Sequence, residues 1–394
     1  MNIKNTLSFL GTICLIASSV GSLHSCRNSK DDPAEDTFII PNTKFSLTKD
    51  QLKNVAGTND LSFRLFSTAY SNESYPDSWK PITYDVNNMS LSPFGIQLIE
   101  AMMANQVSNH SIFLKMAGLD GGGDFNDYFG TLVKDLENQR NNKDAVILSN
   151  VLIRHPEAVE LKDSYLSLLK SVYNTPEFVF SDVYSEEEAP WNKWTKEKTK
   201  GIIDNIPSEL TISCSARFSS AACFNSSWKQ GKDGKNLFYD GEKFSSASLS
   251  LGDGTYMLTI LLPNQGSGVK DVIDNLTAQV WEDLRTGLKW KKASVSVPEI
   301  NASTVYEHLT FLMDSDFKSD CINQVQVIYE PFGYITYILS NSQSTSLSIK
   351  AESSTAPVSD YGDNNPFVAN RPFVYLISEA GSGLIMFIGT YSGS

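Results

Sequence analysis

Few of the residues able to do chemistry in this chain stand where catalysis would need them. The four histidines, His24, His110, His155 and His308, are each isolated in sequence. No serine sits in a Gly-x-Ser-x-Gly turn and no His-Glu-x-x-His occurs, so neither an activated hydroxyl nor a zinc-bound water has a signature here. Gly121, Gly122 and Gly123 follow a helical pattern over 112–119 rather than a strand, which reads as a linker between helices and not as a phosphate cradle. Glu186, Glu187 and Glu188 precede a helix expected over 191–203, where the helix dipole favours negative charge without any acid–base role. Beyond Cys14 and Cys26 the thiols are Cys214, Cys223 and Cys321, with no Cys-x2-Cys spacing. They read as buried free thiols, a Cys214–Cys223 bridge remaining open as the alternative. No catalytic activity, no metal and no cofactor is expected.

The chemistry that the residues do support is chemistry done to the chain. Lys4, an apolar run over 7–20 and then Leu23-His24-Ser25-Cys26 form an export segment too short for a comfortable membrane span. Leu-x-Ser-Cys in this place looks like the lipobox of bacterial lipoproteins, in which the leader 1–25 is removed and the Cys26 thiol takes up diacylglycerol; an ordinary signal peptide is the alternative. The polar stretch after it reads as a flexible tether, 26–44. Its Lys30-Asp31-Asp32 resembles the acidic tags that direct lipoproteins to the outer face of the outer membrane.

The elements that must carry the rest alternate between helices and strands. Ile96, Ile99, Met102 and Met103 recur at helical spacing, as do Leu161, Tyr165, Leu168, Leu169 and Val172. A helix is expected over 269–284, and strands over 257–262, 294–300 and 373–377, the first and last apolar enough to be covered on both faces. The 394 residues carry a net charge of −13, which argues against nucleic acid as a partner because phosphate binding needs a basic stripe. No repeat and no second domain is visible.

Landmarks in order along the chain resemble one family. Residues 365–394 run through Arg371-Pro372-Phe373 into two apolar strands split by Glu379, Gly381 and Gly383. Upstream stand Asn59-Asp60-Leu61-Ser62-Phe63, Asn88-Met89-Ser90-Leu91-Ser92-Pro93-Phe94, then Asn192, Trp194, Thr199, Gly201 and Ile202. Next come 221–228 ending in Trp228, Ile260-Leu261-Leu262-Pro263 and Val297-Pro298-Glu299-Ile300. This pattern resembles the serpin family of protease inhibitors. The resemblance implies an α+β fold over 45–394, eight or nine helices packed on mixed β-sheets, with an exposed reactive-centre loop at about 344–365. It also implies a monomer that a serine or cysteine protease cuts, after which the upstream half of the loop inserts into the main sheet and traps the enzyme.

Insertion constrains the loop, because strand side chains alternate faces. Leu347, Ile349, Ala351, Ser353 and Thr355 form the set expected to face inward, since burying Lys350 and Glu352 of the other set would cost several kcal/mol apiece, order of magnitude. Counting back from Arg371 at the family's usual loop length puts the cut after Tyr361, a residue suited to a chymotrypsin-, subtilisin- or papain-like pocket. The inward parity fits Asp360 or Gly362 instead, so all three stand. The loop is rich in Ser where the family has Gly and Ala. No His stands over 334–340, and Ser220 occupies the place of an Asn that such a His would meet. The stretch 229–257 is short, implying lost hairpin strands. Two functions follow: a surface-tethered, suicide-type inhibitor, or a non-inhibitory binding or structural lipoprotein of the same fold.

Overall fold

The computed structural model describes residues 36–71, 85–105, 114, 119, 124–155, 161–180, 189–208, 216–306, 326–329, 333–336, 339–352 and 366–393. In chain order the first elements are β1 (Asp36–Thr37), α1 (Lys49–Ser71), β2 (Ser90–Leu91), α2 (Pro93–Ala104), α3 (Phe125–Gln139), β3 (Ile147–Arg154), α4 (Asp163–Tyr173), β4 (Glu177–Val179), α5 (Pro190–Lys198) and β5 (Ala216–Trp228). There follow β6 (Lys235–Asp240), β7 (Phe244–Leu251), β8 (Tyr256–Pro263), α6 (Val269–Asn275), α7 (Ala278–Gly287), β9 (Lys289–Lys292), β10 (Val295–Ser296) and β11 (Ile300–Tyr306). The last are β12 (Gln326–Tyr329), β13 (Gly333–Thr336), β14 (Leu339–Ala351), β15 (Phe367–Val368), β16 (Phe373–Glu379) and β17 (Ile385–Tyr391).

Two sheet layers share one seam of contact. One runs β1-β9-β6-β7-β8-β16-β17-β2, the other β4-β3-β5-β14-β11, and the pair Trp228↔Leu251 joins them. Between the layers lies the main core. Helix α2 is at its centre and is buried at every residue, because its apolar positions surround the axis rather than forming one stripe. Ser92 caps it, Pro93 supplies a helical φ at its first turn, and its Gly95 N–H donates to Ser92 Oγ at 3.4 Å. A smaller core on the opposite face of the second sheet gathers Ile147, Val151, Ile153, Trp191, Ile203, Ile206 and Cys223 beneath α5. The α+β architecture is as expected, with seven helices among the described residues against the eight or nine implied.

The ends of the chain are fastened to each other. Asn59 on α1 donates to the Gly383 carbonyl at 2.9 Å and accepts from the Ile385 N–H at 3.0 Å, which fixes the turn between β16 and β17. Buried Glu379 accepts from Thr43 Oγ1 at 2.9 Å and from the Lys44 N–H at 2.8 Å. Residues 36–44 are therefore packed on the domain, and the expected tether stops short of 44. Strand β1 pairs with β9 through Asp36↔Trp290 and Thr37↔Lys289.

Three other boundaries differ from expectation. The helix over 269–284 is two helices, because Thr277 turns out of the helix and caps α7, accepting from the Val280 N–H at 3.1 Å. The strand over 294–300 is broken at Pro298, leaving β10 in a two-stranded sheet with β15 and starting β11 at Ile300. Helix α5 ends at Lys198, since Lys200 and Gly201 take φ of 56° and 78°. After Trp228 the turn through Lys232–Gly234 leads into β6.

Candidate functional site

The sheet β4-β3-β5-β14-β11 is antiparallel at β3/β5 and at β14/β11, but parallel at β5/β14. That parallel seam is long, matched from Leu339↔Ala216 to Ala351↔Trp228. Beyond Ala351 the Glu352 N–H donates to the Trp228 carbonyl at 2.7 Å, and the chain is next described at Pro366, whose neighbour Phe367 donates to the Ser294 carbonyl at 2.9 Å. A segment leaving the top of β14 and turning back would run antiparallel to both β14 and β5. The β3/β4 pairing at the sheet edge is also parallel but spans only Leu152↔Glu177 to Arg154↔Val179. The long β5/β14 seam is where the segment that follows β14 could enter with antiparallel partners on both sides, each inserted residue adding about one net ladder bond at about 1 kcal/mol.

The family model described as Serpin (serine protease inhibitor) matches residues 56–236 and 231–393. The chain belongs to the serpin family. Over 402 aligned residues it is 21% identical to an uncharacterized serpin-like protein of Thermococcus kodakarensis, covering 92% of this chain and 91% of that one. Among solved structures it is similar to tengpin, a thermophilic serpin in the native state, with a TM-score of 0.69 at 19% identity over 91% of this chain and 97% of that one. Native protease nexin-1 with heparin gives a TM-score of 0.66 at 14% identity, covering 87% of this serpin and 100% of its own chain. The family is one of protease inhibitors in general rather than of enzymes.

A buried amide ties the β14 side of this serpin's seam to the cap of α2. Gln343 on β14 is fully buried and grips the residue before α2, accepting from the Ser92 N–H at 3.0 Å and donating to the Ser92 carbonyl at 2.9 Å. It lies opposite Ser220 of β5. A Cβ on Gly95 would stand 2.9 Å from both Gln343 Nε2 and Ser220 Oγ, so the glycine, the serine and the glutamine fit as a set. Gln343 escaped the sequence reading, which looked for a His over 334–340; its signal is an amide that, with Asn341, interrupts a run of hydroxyls. Further along, Thr345 donates to the Ser90 carbonyl at 3.0 Å, and Ser342 and Ser219 share a bond of 2.8 Å across the seam.

These contacts change the reading of the loop. Leu347 and Ile349 are 2% and 1% exposed and lie in β14 over the core, so they belong to the sheet already and not to the part that remains to insert. Ala351 is exposed at the strand's last position. Residues 344–351 therefore belong to β14 and not to the loop, with Ser342 and Thr345 bonded inside the sheet and Ser344 Oγ buried there without a partner. Ser353, Thr355, Asp360, Tyr361, Gly362 and Cys26 lie outside the described residues, as do Gly121 to Gly123, Glu186 to Glu188, His110, His308, Cys214 and Cys321. Cys223 is buried, and burial pushes its thiol up to about 12, which leaves it unreactive at neutral pH. No group of side chains suited to a metal ion occurs among the described residues.

Proposed function

We propose that this serpin is a surface-tethered, suicide-type inhibitor of serine or cysteine proteases, lipidated at Cys26 and displayed on the outer membrane or cell surface. The observation that carries the reading is the closed parallel seam between β5 and β14, running straight into the bait segment. A protease that cuts the segment frees its upstream half to enter the seam, and the acyl-linked enzyme travels with it. Cleavage after Tyr361 is preferred, with Asp360 and Gly362 as neighbours.

Incubation with chymotrypsin, subtilisin and papain tests this. Expected are an adduct stable in SDS and a nicked chain that melts well above the intact one, since about seven added ladder bonds contribute on the order of 7 kcal/mol. Clean cleavage with an unchanged melting temperature would refute it. The mass of the released C-terminal fragment gives the bond directly. Fatty-acid labelling that vanishes in Cys26→Ala tests the anchor, and labelling that persists would remove it.

A second reading, a non-inhibitory serpin-fold lipoprotein, draws on the length of β14. With Leu347 to Ala351 already in the sheet, a cut after Tyr361 leaves about nine free residues, of which a tight reversal takes about two. The seam is bordered by the 13 residues of β5, so insertion would fill about half of it. Partial insertion predicts cleavage with little adduct.

A further inference from the structure

Lysines gather at both roots of the bait segment, on a protein whose net charge is −13. The turn after β5 brings exposed Lys229, Lys232 and Lys235 beside β9 and β10. Gln230 donates to the Val295 carbonyl at 2.6 Å, and Asn236 donates to the Ala293 carbonyl at 2.8 Å. Lys235 lies directly opposite exposed Lys292 in the β6/β9 pairing, which sets two cations side by side on the sheet. Both roots open onto this cluster. Glu352 is bonded to Trp228, the residue before Lys229, and Phe367 is bonded to Ser294, two residues after Lys292. At the second root lies a cleft of about 640 Å³, lined by Lys291, Lys292 and Arg371 over Phe238 and Phe367. Asp240 engages Lys291 at 3.0 Å, Asp233 stands in the turn and Glu352 at the root, three acids against the six cations Lys229, Lys232, Lys235, Lys291, Lys292 and Arg371, so the surplus there is positive.

We propose that this collar is a docking surface for an acidic face of the target protease, next to the active-site cleft that receives the bait. The identity of the partner rests on the inhibitor reading; the charge preference does not. A protease that reaches the bait must sit over both roots at once, and so over the collar. For an acidic enzyme the net charge of −13 is repulsive, and an approach onto the collar meets local attraction beside the bait. The collar therefore steers orientation as well as rate.

The test uses the full chain with two forms of one enzyme, chymotrypsin and chymotrypsin made acidic by succinylation of its surface amines. Loss of intact chain is counted whether it ends as adduct or as nicked product, so a missing adduct bears on the inhibitor reading alone. Expected at low salt is a rate constant about tenfold higher for the succinylated enzyme, after correction for its activity on a neutral peptide. That advantage should vanish at high salt and in the double variant Lys232→Glu/Lys292→Glu, whose two positions are exposed. Equal or slower reaction of the succinylated enzyme, or an advantage that survives charge reversal, would overturn the proposal. Phosphatidylglycerol vesicles that bind the wild-type chain but not the reversed variant, with both proteases reacting alike, would assign the collar to lipid and would equally overturn it.

Discussion

Replacing Gln343 by leucine isolates the grip on the seam, because the two side chains differ little in volume and leucine makes no polar contact. The loss is unequal at the two ends of the grip. The Ser92 carbonyl still accepts from the Ile96 N–H at 3.3 Å, so it forfeits one of two bonds, about 1 kcal/mol. The Ser92 N–H has no such reserve and becomes a buried orphan, at about 1–3 kcal/mol. The sum, about 2–4 kcal/mol, falls on the closed conformer. Hydrogen exchange read by mass spectrometry should therefore show amides of β5 and β14 losing protection by about 30- to 1,000-fold if the seam opens as a unit. Gln343→Asn, one methylene shorter, should behave similarly because its amide cannot reach both atoms. Unchanged exchange in 216–228 and 339–351 of the leucine variant, with exchange raised only at Ser92, would show that the amide caps α2 without restraining the strands.

Further outcomes follow from buried polar groups. Glu100 on α2 is fully buried and burial raises its carboxyl to about 8, Arg64 opposing the shift. A folded value above the unfolded one means that the protonated form is favoured on folding. The stability tied to Glu100 is complete below about pH 4.5 and declines by about 1.4 kcal/mol per pH unit up to about 8. Denaturant melts of Glu100→Gln should lack this contribution, and a variant with the same decline as wild type would contradict the assignment. Asn59→Ala leaves the Ile385 N–H without its partner, while the Gly383 carbonyl keeps the Trp281 indole at 2.9 Å. A loss of about 2–3 kcal/mol in urea unfolding is expected, and a loss below about 0.5 kcal/mol would mean that the turn relaxes.

Legibility from sequence tracked how each segment satisfies its backbone and side chains. Strands β8, β16 and β17 were plain because they are covered on both faces and therefore apolar throughout. Helix α2 was plain from Ser92-Pro93 and the spacing of Ile96, Ile99 and Met103. Strand β14 was not, because its lower half meets the capped end of α2 and the edge of β2, where hydroxyls and an amide find backbone partners. Such a strand carries the composition of a loop, and its alternation of Leu347 and Ile349 reads as readiness to insert when it is burial already achieved. The break at Thr277 could have been read, since a threonine directly before a stretch with Trp281 and Leu284 at helical spacing is a helix-start signal. The grip of Gln343 could not, because it joins residues 251 positions apart.

The fastening of residues 36–44 has a mechanical side. A pull on the chain at Asp36 reaches β9 through the β1 pairing, then β6 and β7, and it reaches β16 through Glu379. From there two routes lead to the second sheet, one through the pair Trp228↔Leu251 at the far end of β5 from Gln343, the other through β17 and β2, whose Ser90 carbonyl accepts from Thr345 of β14. Tension from an anchorage would be shared across the ladder of the first sheet before any of it reached the closed seam.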